Sequence, residues 1–438
     1  MKVIKCLAKM ALIPVLVLSM LAGCSSSGGS NTSTSSNAVK GKVKIEFWYG
    51  LGSAAGQKMQ SIIKSFNATH KNITVVGVAQ PDYATTYQKL QAAIASNTAP
   101  GVALLSADYV HDLGKKKALA PLDPYIKNDK SMKVNDFLPV FMTRAKVGNV
   151  TYGLPAYGTT QVMYYRKDLF QKAGIDTTKA FSSWENLLAA AKTIQTKNLA
   201  AYGFEPMWGP DNLIDMALSN GGQVFSADGK KVTINTAAWI NAWDMIRQSI
   251  FTDKTMMVNS GGQGWAYWYK TIDDVMKGRA GGYIGSSGDK GNLDFSKIDS
   301  AVQPGMNGHK AKPVVDALYM SVPSSISDNQ KRAAYQFIAY FTSAKVNADW
   351  AKTIGYIPVC NAAMKDPAYA AFIKAHPYAA IPFKQAEQGI ARYLDPTGGK
   401  ITQALSEAAD KVELQNVPAK QALDQAEQVA QQALDSTK

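Results

Sequence analysis

The sequence predicts an α/β protein in which helices cover a parallel sheet. Three observations support this prediction. Strand and helix patterns alternate between residues 43 and 105, a second α/β stretch starts after residue 155, and an apolar strand returns at residues 314–322. Alternating strands and helices are typical of parallel sheets. The change of pattern and the late return of a strand indicate two lobes around a hinge.

The first region consists of short apolar strands and amphipathic helices. Strands are predicted at residues 43–48, 73–76 and 102–105, and helices at residues 56–70 and 83–96. Ligands of such sheets bind at the carboxyl ends of the strands. We therefore expect residues 49–53, 82–83 and 106–109 to surround one common mouth.

The second region repeats the α/β pattern. Its predicted elements are a strand at 162–165, helices at 168–173 and 184–195, a strand followed by a helix in 232–251, strands at 280–286 and 314–322, a helix at 332–342 and helical periodicity over 401–434. Ser182 or Ser183 is expected to cap the helix that begins at Trp184. No repeat of about 20 to 50 residues is visible, so a solenoid is not expected.

The start of the chain predicts export and a lipid anchor. Three lysines precede an apolar run, residues 10–21, which is short for a membrane span. The tetrapeptide Leu-Ala-Gly-Cys that ends at Cys24 resembles the lipobox of bacterial lipoproteins, in which the cysteine carries the lipid. We expect residues 1–23 to be a lipoprotein signal peptide and residues 24–40 to be a lipid-anchored, flexible tether. The alternative is an ordinary signal peptide that happens to contain Cys24.

Cysteine usage and charge restrict the possible classes further. Removal of the predicted signal peptide, which contains Cys6, leaves Cys24 and Cys360. If Cys24 is acylated, Cys360 has no partner and no disulfide supports the fold. The formal net charge is +14, but the basic residues are spread along the chain and the densest run, residues 115–117, is short. We therefore expect no nucleic-acid partner, because attraction to an anionic cell envelope is sufficient to explain the charge.

Motifs of catalysis and metal binding are not found in the sequence. It contains no Gly-x-Ser-x-Gly motif and no P-loop. The histidines have no metal-ligand spacing; they are His70, His111, His309 and His376. The sequence therefore predicts no metal, no cofactor and no enzymatic activity. Only Asp108 and Asp316 would be tested as the paired carboxylates of a glycoside hydrolase.

Several short sequence motifs are spread over essentially the whole mature chain. Each motif is weak alone, but their order and spacing are specific. They lie at residues 47–50, 154–155, 162–170, 173–176, 183–187 and 355–359. Together they resemble family 1 of the extracellular solute-binding proteins, the maltose-binding-like receptors of ABC importers. The resemblance implies a type II periplasmic-binding-protein fold, with two α/β lobes joined by a hinge and the ligand cleft between them. It implies lobe 1 at residues 41–154 plus 316–353 and lobe 2 at residues 155–315 plus 354–438.

Within this family the sequence looks closest to the glycerol-3-phosphate-binding receptors. The resemblance assigns ligand contacts to Tyr83, Thr159, Ser286 and Tyr356, and places Lys400, with Arg392 close by, near an arginine that contacts phosphate. At two positions the sequence departs from the pattern of these receptors, and both positions concern carboxylates. Ala107 or Asp108 stands at the family's acidic position, and Asp316 replaces a glycine. An added carboxylate suits sugar hydroxyls and repels phosphate, and lysine cannot grip phosphate with two parallel hydrogen bonds. We therefore expect a neutral carbohydrate ligand.

Aromatic residues in loops complete the predicted site. Aromatic faces stack on the C–H surfaces of sugars, while carboxylates, amides and hydroxyls bind the sugar hydroxyls. Trp208 lies between two prolines, and Trp265 lies in the aromatic cluster of residues 261–269. Trp184, Trp239, Trp243 and Trp350 are expected in the core instead. The predicted ligand-binding residues are Tyr49, Tyr83, Asp108, Tyr157, Thr159, Trp208, Trp265, Ser286, Asp316, Tyr356 and Lys400.

The sequence thus predicts a monomeric receptor that is lipid-anchored on the outer face of the cell membrane. It would capture a sugar or a short oligosaccharide and deliver it to the ABC permease subunits in the membrane. One alternative is a receptor for glycerol-3-phosphate or a glycerophosphodiester. Alternatives of another class are a secreted carbohydrate-active enzyme and a surface adhesin.

Overall fold

The structure, a computed structural model, describes residues 37–437. The predicted signal peptide, Cys24 and the tether up to residue 36 lie outside these residues. The last part of the predicted tether, residues 37–40, contacts the folded protein. Asn37 donates from Nδ2 to the Tyr125 carbonyl at 2.8 Å, and the backbone of Lys40 exchanges two hydrogen bonds with the Asn329 side chain. These contacts attach residues 37–40 to the protein, so we propose that the flexible tether ends before residue 37.

The strands of the described residues are numbered in chain order. They are β1 (Val43–Tyr49), β2 (Ile73–Ala79), β3 (Val102–Ser106), β4 (Lys146–Val147), β5 (Val150–Thr151), β6 (Gly153–Arg166), β7 (Gly282–Ser286), β8 (Ile298–Ala301), β9 (Val314–Ser321) and β10 (Ile390–Ala391).

The α-helices of the described residues are numbered in the same way. They are α1 (Ser53–Thr69), α2 (Tyr83–Ala95), α3 (Ala107–Lys115), α4 (Asp123–Lys127), α5 (Pro139–Met142), α6 (Lys167–Ala173), α7 (Thr177–Ala180), α8 (Trp184–Thr196), α9 (Pro210–Ser219), α10 (Ala237–Phe251), α11 (Ala266–Met276), α12 (Asp328–Phe341), α13 (Ala344–Ile354), α14 (Asn361–Met364), α15 (Pro367–Ala375), α16 (Ile381–Gln388), α17 (Lys400–Leu414) and α18 (Ala419–Asp435). Short 3₁₀ helices occupy Val134–Asp136, Thr143–Ala145, Ser287–Asn292 and Pro377–Ala380.

The sheet has the strand order β2-β1-β3-β9-β6-β7, with β10 beside β9 and β8 beside β6. The predicted parallel arrangement is confirmed for β1, β2 and β3, whereas β9 is antiparallel to β3 and to β6. Strand β6 is much longer than predicted. Its first half, residues 153–160, pairs with β9, and its second half, residues 161–166, pairs with β7 and β8.

Two large hydrophobic cores lie along β6, together with a smaller third core that contains Val162 and Tyr164. The first core takes its residues from positions 45–157 and 315–363, and the second core from positions 163–306 and 401–434. The four tryptophans expected in the core are fully buried, which confirms that prediction. Residues 232–234 do not form the strand that we expected before α10; Val232 makes only one isolated bridge, to Phe225.

The lobe boundaries remain a prediction, and we propose to move one of them. The segment after α13 was assigned to lobe 2. However, Ile357, Val359 and Cys360 are buried in the first core. We therefore propose that lobe 1 extends to about residue 363, where the first core ends.

Side-chain caps in the sequence determine where two important helices begin. The carboxylate of Asp82 accepts a hydrogen bond from the Thr85 amide at 2.6 Å and so caps α2. Since Tyr83 is the first residue of α2, this cap places its side chain beyond the end of β2. Ser183 accepts from the Asn186 amide and caps α8, which decides between the two serines considered above.

A buried asparagine in α13 joins β6 to the segment that follows α13. Asn347 donates from Nδ2 to the Ala156 carbonyl at 2.6 Å, and its Oδ1 accepts from the Val359 amide at 2.9 Å. We expect Asn347→Ala to lower the free energy of unfolding by about 2–3 kcal/mol, because a buried donor and a buried acceptor lose their partners. Urea unfolding measures this change. Gln432→Ala, on the exposed side of α18, is the control with no expected effect; equal effects of the two substitutions would contradict the assigned role.

Candidate ligand-binding cleft

A cavity of about 820 Å³ lies beside the middle of β6. Its lining residues come from separate parts of the chain: they fall within the segments 50–55, 82–84, 106–112, 159–161, 207–215, 262–269, 286–292, 314–318, 356, 392–399 and 402–410, and only some residues of each segment line the cavity. The loops that follow β1, β2 and β3 meet here, which confirms the predicted common mouth. A concave site of this size accepts a small organic molecule.

Eight of the predicted site residues line this cavity, although they come from distant parts of the chain. They are Tyr83, Asp108, Thr159, Trp208, Trp265, Ser286, Asp316 and Tyr356. Their contact with a ligand remains a prediction. Thr159 and Ser286 belong to the neighbouring strands β6 and β7, and their hydroxyl oxygens lie 3.3 Å apart.

Three predicted site residues do not line the cavity. Tyr49 is buried because it continues the inward-facing positions Ile45 and Phe47 of β1. Tyr157 is also fully buried. Lys400 is the exposed first residue of α17. We therefore no longer propose direct ligand contact for these three residues.

Tyr157 contacts two tyrosines that line the cavity, although it does not line the cavity itself. Its hydroxyl lies 3.1 Å from the hydroxyl of Tyr83, and its ring stacks on the ring of Tyr356 at a centroid distance of 4.2 Å. Burial raises the pKa of the Tyr157 phenol well above its usual value. The phenol therefore stays neutral and fixes the two tyrosines that reach the cavity.

Four aromatic residues form what we call the aromatic wall: Trp208, Trp265, Tyr267 and Trp268. The rings of Trp208 and Tyr267 meet edge to face at 5.0 Å, and those of Trp265 and Trp268 meet in the same way at 5.9 Å. The sequence cluster at residues 261–269 indicated this wall, but it did not show which of its rings reach the cavity.

Each tryptophan of the aromatic wall already uses its only hydrogen-bond donor. The acceptors are Asp410 for Trp208 at 2.7 Å, Asp289 for Trp268 at 2.8 Å and the Gly50 carbonyl for Trp265 at 3.1 Å. An indole has one N–H donor and no acceptor. The three indoles can therefore offer a ligand only the apolar faces and edges of their rings.

Carboxylates dominate the charged groups of the cavity. Those that line it are Asp82, Asp108, Asp112, Asp211, Asp215, Asp289, Asp316 and Asp410. Among the lining residues in the described part of the chain, Arg392 is the one basic side chain. The cavity is thus acidic although the chain as a whole is basic.

Arg392 is paired with two of these carboxylates. Its Nη1 donates to Asp211 at 2.9 Å, and its Nε lies 4.0 Å from a carboxylate oxygen of Asp316. The nearby Asp211 holds the pKa of Arg392 well above its usual value. The other oxygen of Asp316 lies 3.4 Å from Nε of Arg144, a buried residue that also bonds to the Arg392 carbonyl. Two guanidinium groups therefore fix Asp316.

Asp108 is less completely paired than Asp316. One of its oxygens accepts from the Asp395 amide at 3.3 Å. Burial raises the pKa of Asp108, and the nearby Arg392 opposes that rise. Its remaining oxygen can accept a hydrogen bond from a hydroxyl group in the cavity.

Direct contacts around the cavity join residues that are distant in sequence. Ser53, at the start of α1, donates its hydroxyl to Oδ1 of Asn292 at 2.6 Å. The ring of Tyr83 meets the ring of Trp265 edge to face at 5.5 Å. The segments that follow β1 and β2 therefore contact the loops at residues 261–269 and 287–292 beside the cavity.

Within residues 37–437, no group of three or more His, Cys, Asp and Glu side chains is placed to bind a metal ion. None of the helices in this range is both long enough and apolar enough to span a membrane.

Sequence comparison identifies the family of the chain. The family described as "Bacterial extracellular solute-binding protein" matches residues 61–378. A relative, the sn-glycerol-3-phosphate-binding periplasmic protein UgpB of Brucella melitensis, is 21% identical over 362 residues, which cover 78% of this chain and 81% of the relative.

Solved structures with the same fold include receptors named for different ligands. The GacH receptor of Streptomyces glaucescens, solved without ligand and with acarbose, has a TM-score of 0.81 at 19% identity and covers 91% of this chain and 100% of its own. UgpB of Mycobacterium tuberculosis in complex with glycerophosphocholine has a TM-score of 0.79 at 20% identity and covers 90% and 99%. The likeness confirms the two-lobed, type II periplasmic-binding-protein fold.

The buried Asp289 beneath the aromatic wall predicts a pH dependence of stability. Burial raises the pKa of its carboxyl to about 7, although Trp268 and Tyr283 donate hydrogen bonds to it. Between about pH 4 and pH 7 the folded state keeps a proton that the unfolded state has lost, so stability falls as pH rises through this window. From pH 5 to pH 8 we expect the free energy of unfolding to fall by about 1–3 kcal/mol more in the wild type than in Asp289→Asn.

Chemical denaturation at the two pH values measures this difference. The matched control is Asp328→Asn, which changes an exposed carboxylate of α12. The assigned cause is wrong if Asp289→Asn and the wild type lose the same free energy of unfolding.

Proposed function

The chain belongs to the bacterial extracellular solute-binding proteins, and from this premise we propose that it is the receptor of an ABC importer for a neutral carbohydrate. The ligand is a sugar or a short oligosaccharide, which the receptor delivers to the permease without chemical change. The observation that carries the proposal is the combination of the aromatic wall with an acceptor-rich, acidic lining in one cavity.

The aromatic wall supports a ligand that has flat C–H surfaces. Since the three indole N–H groups are engaged, the rings can contribute only stacking and apolar contact. Pyranose rings present C–H faces of this kind, and their hydroxyl groups project from the ring edges. Carboxylates such as Asp108 accept hydrogen bonds from those hydroxyls.

The charge of the cavity argues against a phosphate. Arg392 is the only basic lining residue of the described chain, and Asp211 and Asp316 already neutralise it. A phosphate placed there would face several carboxylates, and such like-charge contacts cost about several kcal/mol. A neutral polyol supplies hydroxyl donors to the same carboxylates at no such cost.

One observation favours a second candidate, a glycerophosphodiester. The two relatives named UgpB have similar sequence or fold, and Arg392 does lie in the cavity wall. A phosphodiester carries one negative charge, which a guanidinium can grip with two hydrogen bonds. This candidate requires Arg392 to leave Asp211 for the ligand.

An enzymatic role is not part of the proposal. The carboxylates Asp108 and Asp316 are close enough for their charges to interact. However, Asp316 lies between two guanidinium groups, 3.4 Å from Nε of Arg144 and 4.0 Å from Nε of Arg392. Because its oxygens are paired with protein groups, we assign no catalytic role to this pair of carboxylates.

Calorimetry tests the ligand class. The panel consists of maltose, maltotriose, trehalose and raffinose beside glycerol-3-phosphate and glycerophosphocholine. We expect at least one sugar to bind without turnover, and Trp208→Ala to weaken that binding about ten-fold through the loss of stacking. Lys400→Ala is the matched control and should bind like the wild type, because Lys400 does not line the cavity.

The opposite outcomes are also defined. Binding of glycerophosphocholine that is lost in Arg392→Ala, with no sugar bound, would favour the second candidate. Release of a monosaccharide from any sugar of the panel would favour the hydrolase.

We also propose that the receptor is a monomer that a lipid on Cys24 anchors to the outer face of the cell membrane. The support for the anchor is the Leu-Ala-Gly-Cys tetrapeptide behind the apolar run. Cys24 lies outside the described residues.

Cell fractionation tests the anchor. We expect Cys24→Ala to release the protein into the soluble fraction, because one thiol is the only proposed site of lipid attachment. Cys360→Ala, which removes a buried thiol, is the matched control and should stay with the membrane. Continued membrane association of Cys24→Ala would contradict the lipobox interpretation.

A further inference from the structure

We propose that Asp410 is a positioning residue, which orients the Trp208 indole so that it presents a ring surface, and not its N–H, to the cavity. This inference rests on the proposed function, because it gives Trp208 a stacking role. Asp410 was not among the predicted site residues. It lies in α17, about 200 positions after Trp208 in the sequence, so only the fold brings the two residues together.

The contact itself is a short hydrogen bond to a charged acceptor. Nε1 of Trp208 donates to Oδ1 of Asp410 at 2.7 Å, and both side chains are half-buried. Hydrogen bonds to ionised acceptors are about twice as strong as neutral ones. Because the indole has a single N–H, this bond fixes the direction in which the polar edge of the ring points.

A second carboxylate of α17 holds the loop that carries Trp208. Glu413 lies three residues after Asp410, on the same side of the helix, and its Oε2 accepts from the Gly209 amide at 2.9 Å. Gly209 has a φ of +108°, a conformation that is strained for any residue with a side chain. The backbone beside Trp208 and the ring of Trp208 are thus attached to one helix at two neighbouring points.

Tyr267 further limits the rotation of the Trp208 ring. Its ring meets that of Trp208 at 5.0 Å and at an angle of 84°. With its N–H on Asp410 and its contact to Tyr267, the indole has little freedom to rotate. Trp208 still lines the cavity, so the ring surface left exposed there is apolar.

A competing explanation is that Asp410 binds the ligand directly, because it also lines the cavity. The two explanations differ in one respect. If Asp410 acts through Trp208, its removal does not change the affinity for the ligand once residue 208 lacks an N–H. If Asp410 contacts the ligand, its removal lowers the affinity for the ligand in either background.

The first experiment needs no ligand. Protein labelled with ¹⁵N-tryptophan gives one indole N–H signal for each of its 8 tryptophans, and the signal lost in Trp208→Phe identifies Trp208. We expect Asp410→Ala to shift this signal and to speed its exchange with water, and Asp410→Asn to preserve most of both. Asp424→Ala, an exposed aspartate of α18, is the matched control. An unchanged Trp208 signal in Asp410→Ala would overturn the inference.

The second experiment is a double-mutant cycle with the sugar that binds most tightly in the panel above. We expect Asp410→Ala to weaken binding about three- to ten-fold in the wild type, through misorientation of a stacking ring. In the Trp208→Phe background it should change the affinity less than about two-fold. An equal loss in both backgrounds would assign Asp410 to the ligand and overturn its positioning role.

The two experiments separate failure of this inference from failure of the proposed function. If no sugar of the panel binds, the carbohydrate proposal fails. The indole signal still decides whether Asp410 orients Trp208. If sugars bind and the signal does not respond to Asp410→Ala, only the inference fails.

Discussion

The continuity of β6 is the constraint on which the rest of the structure depends. One strand of 14 residues pairs with β9 in its first half and with β7 and β8 in its second half. The two cores are therefore built on the same backbone, and the cavity lies where they meet. Asn347 ties β6 at Ala156 to the segment after α13, so the strand, the first core and one edge of the cavity are positioned together.

Much of the fold could be predicted from the sequence, because the alternation of strands and helices and the order of short motifs are local signals. The same logic found Tyr83 and Asp108, which follow strand ends. The error at Tyr49 was avoidable, since Ile45, Phe47 and Tyr49 share one face of β1. Asp410 could not have been found, because its partner Trp208 is distant in sequence and α17 has the pattern of an ordinary amphipathic helix.

The charge of the cavity shows why total charge is a poor guide to a binding site. The chain has a formal net charge of +14, yet its cavity is lined by aspartates and one arginine. Arg392 pairs with two of these aspartates, Asp211 and Asp316. The basic residues that dominate the sequence lie elsewhere, where they can influence how the protein approaches anionic surfaces.

The engaged N–H groups of the aromatic wall have a consequence for stereochemical selectivity. A ring surface without a free donor does not distinguish an axial hydroxyl from an equatorial one by hydrogen bonding. Discrimination between epimers by hydrogen bonding must therefore come from the carboxylates and hydroxyls at the edges of the bound ring, such as Asp108 and Thr159. Substitutions at these polar positions could change which sugar is preferred while the tryptophans stay the same, so preference and affinity can evolve separately.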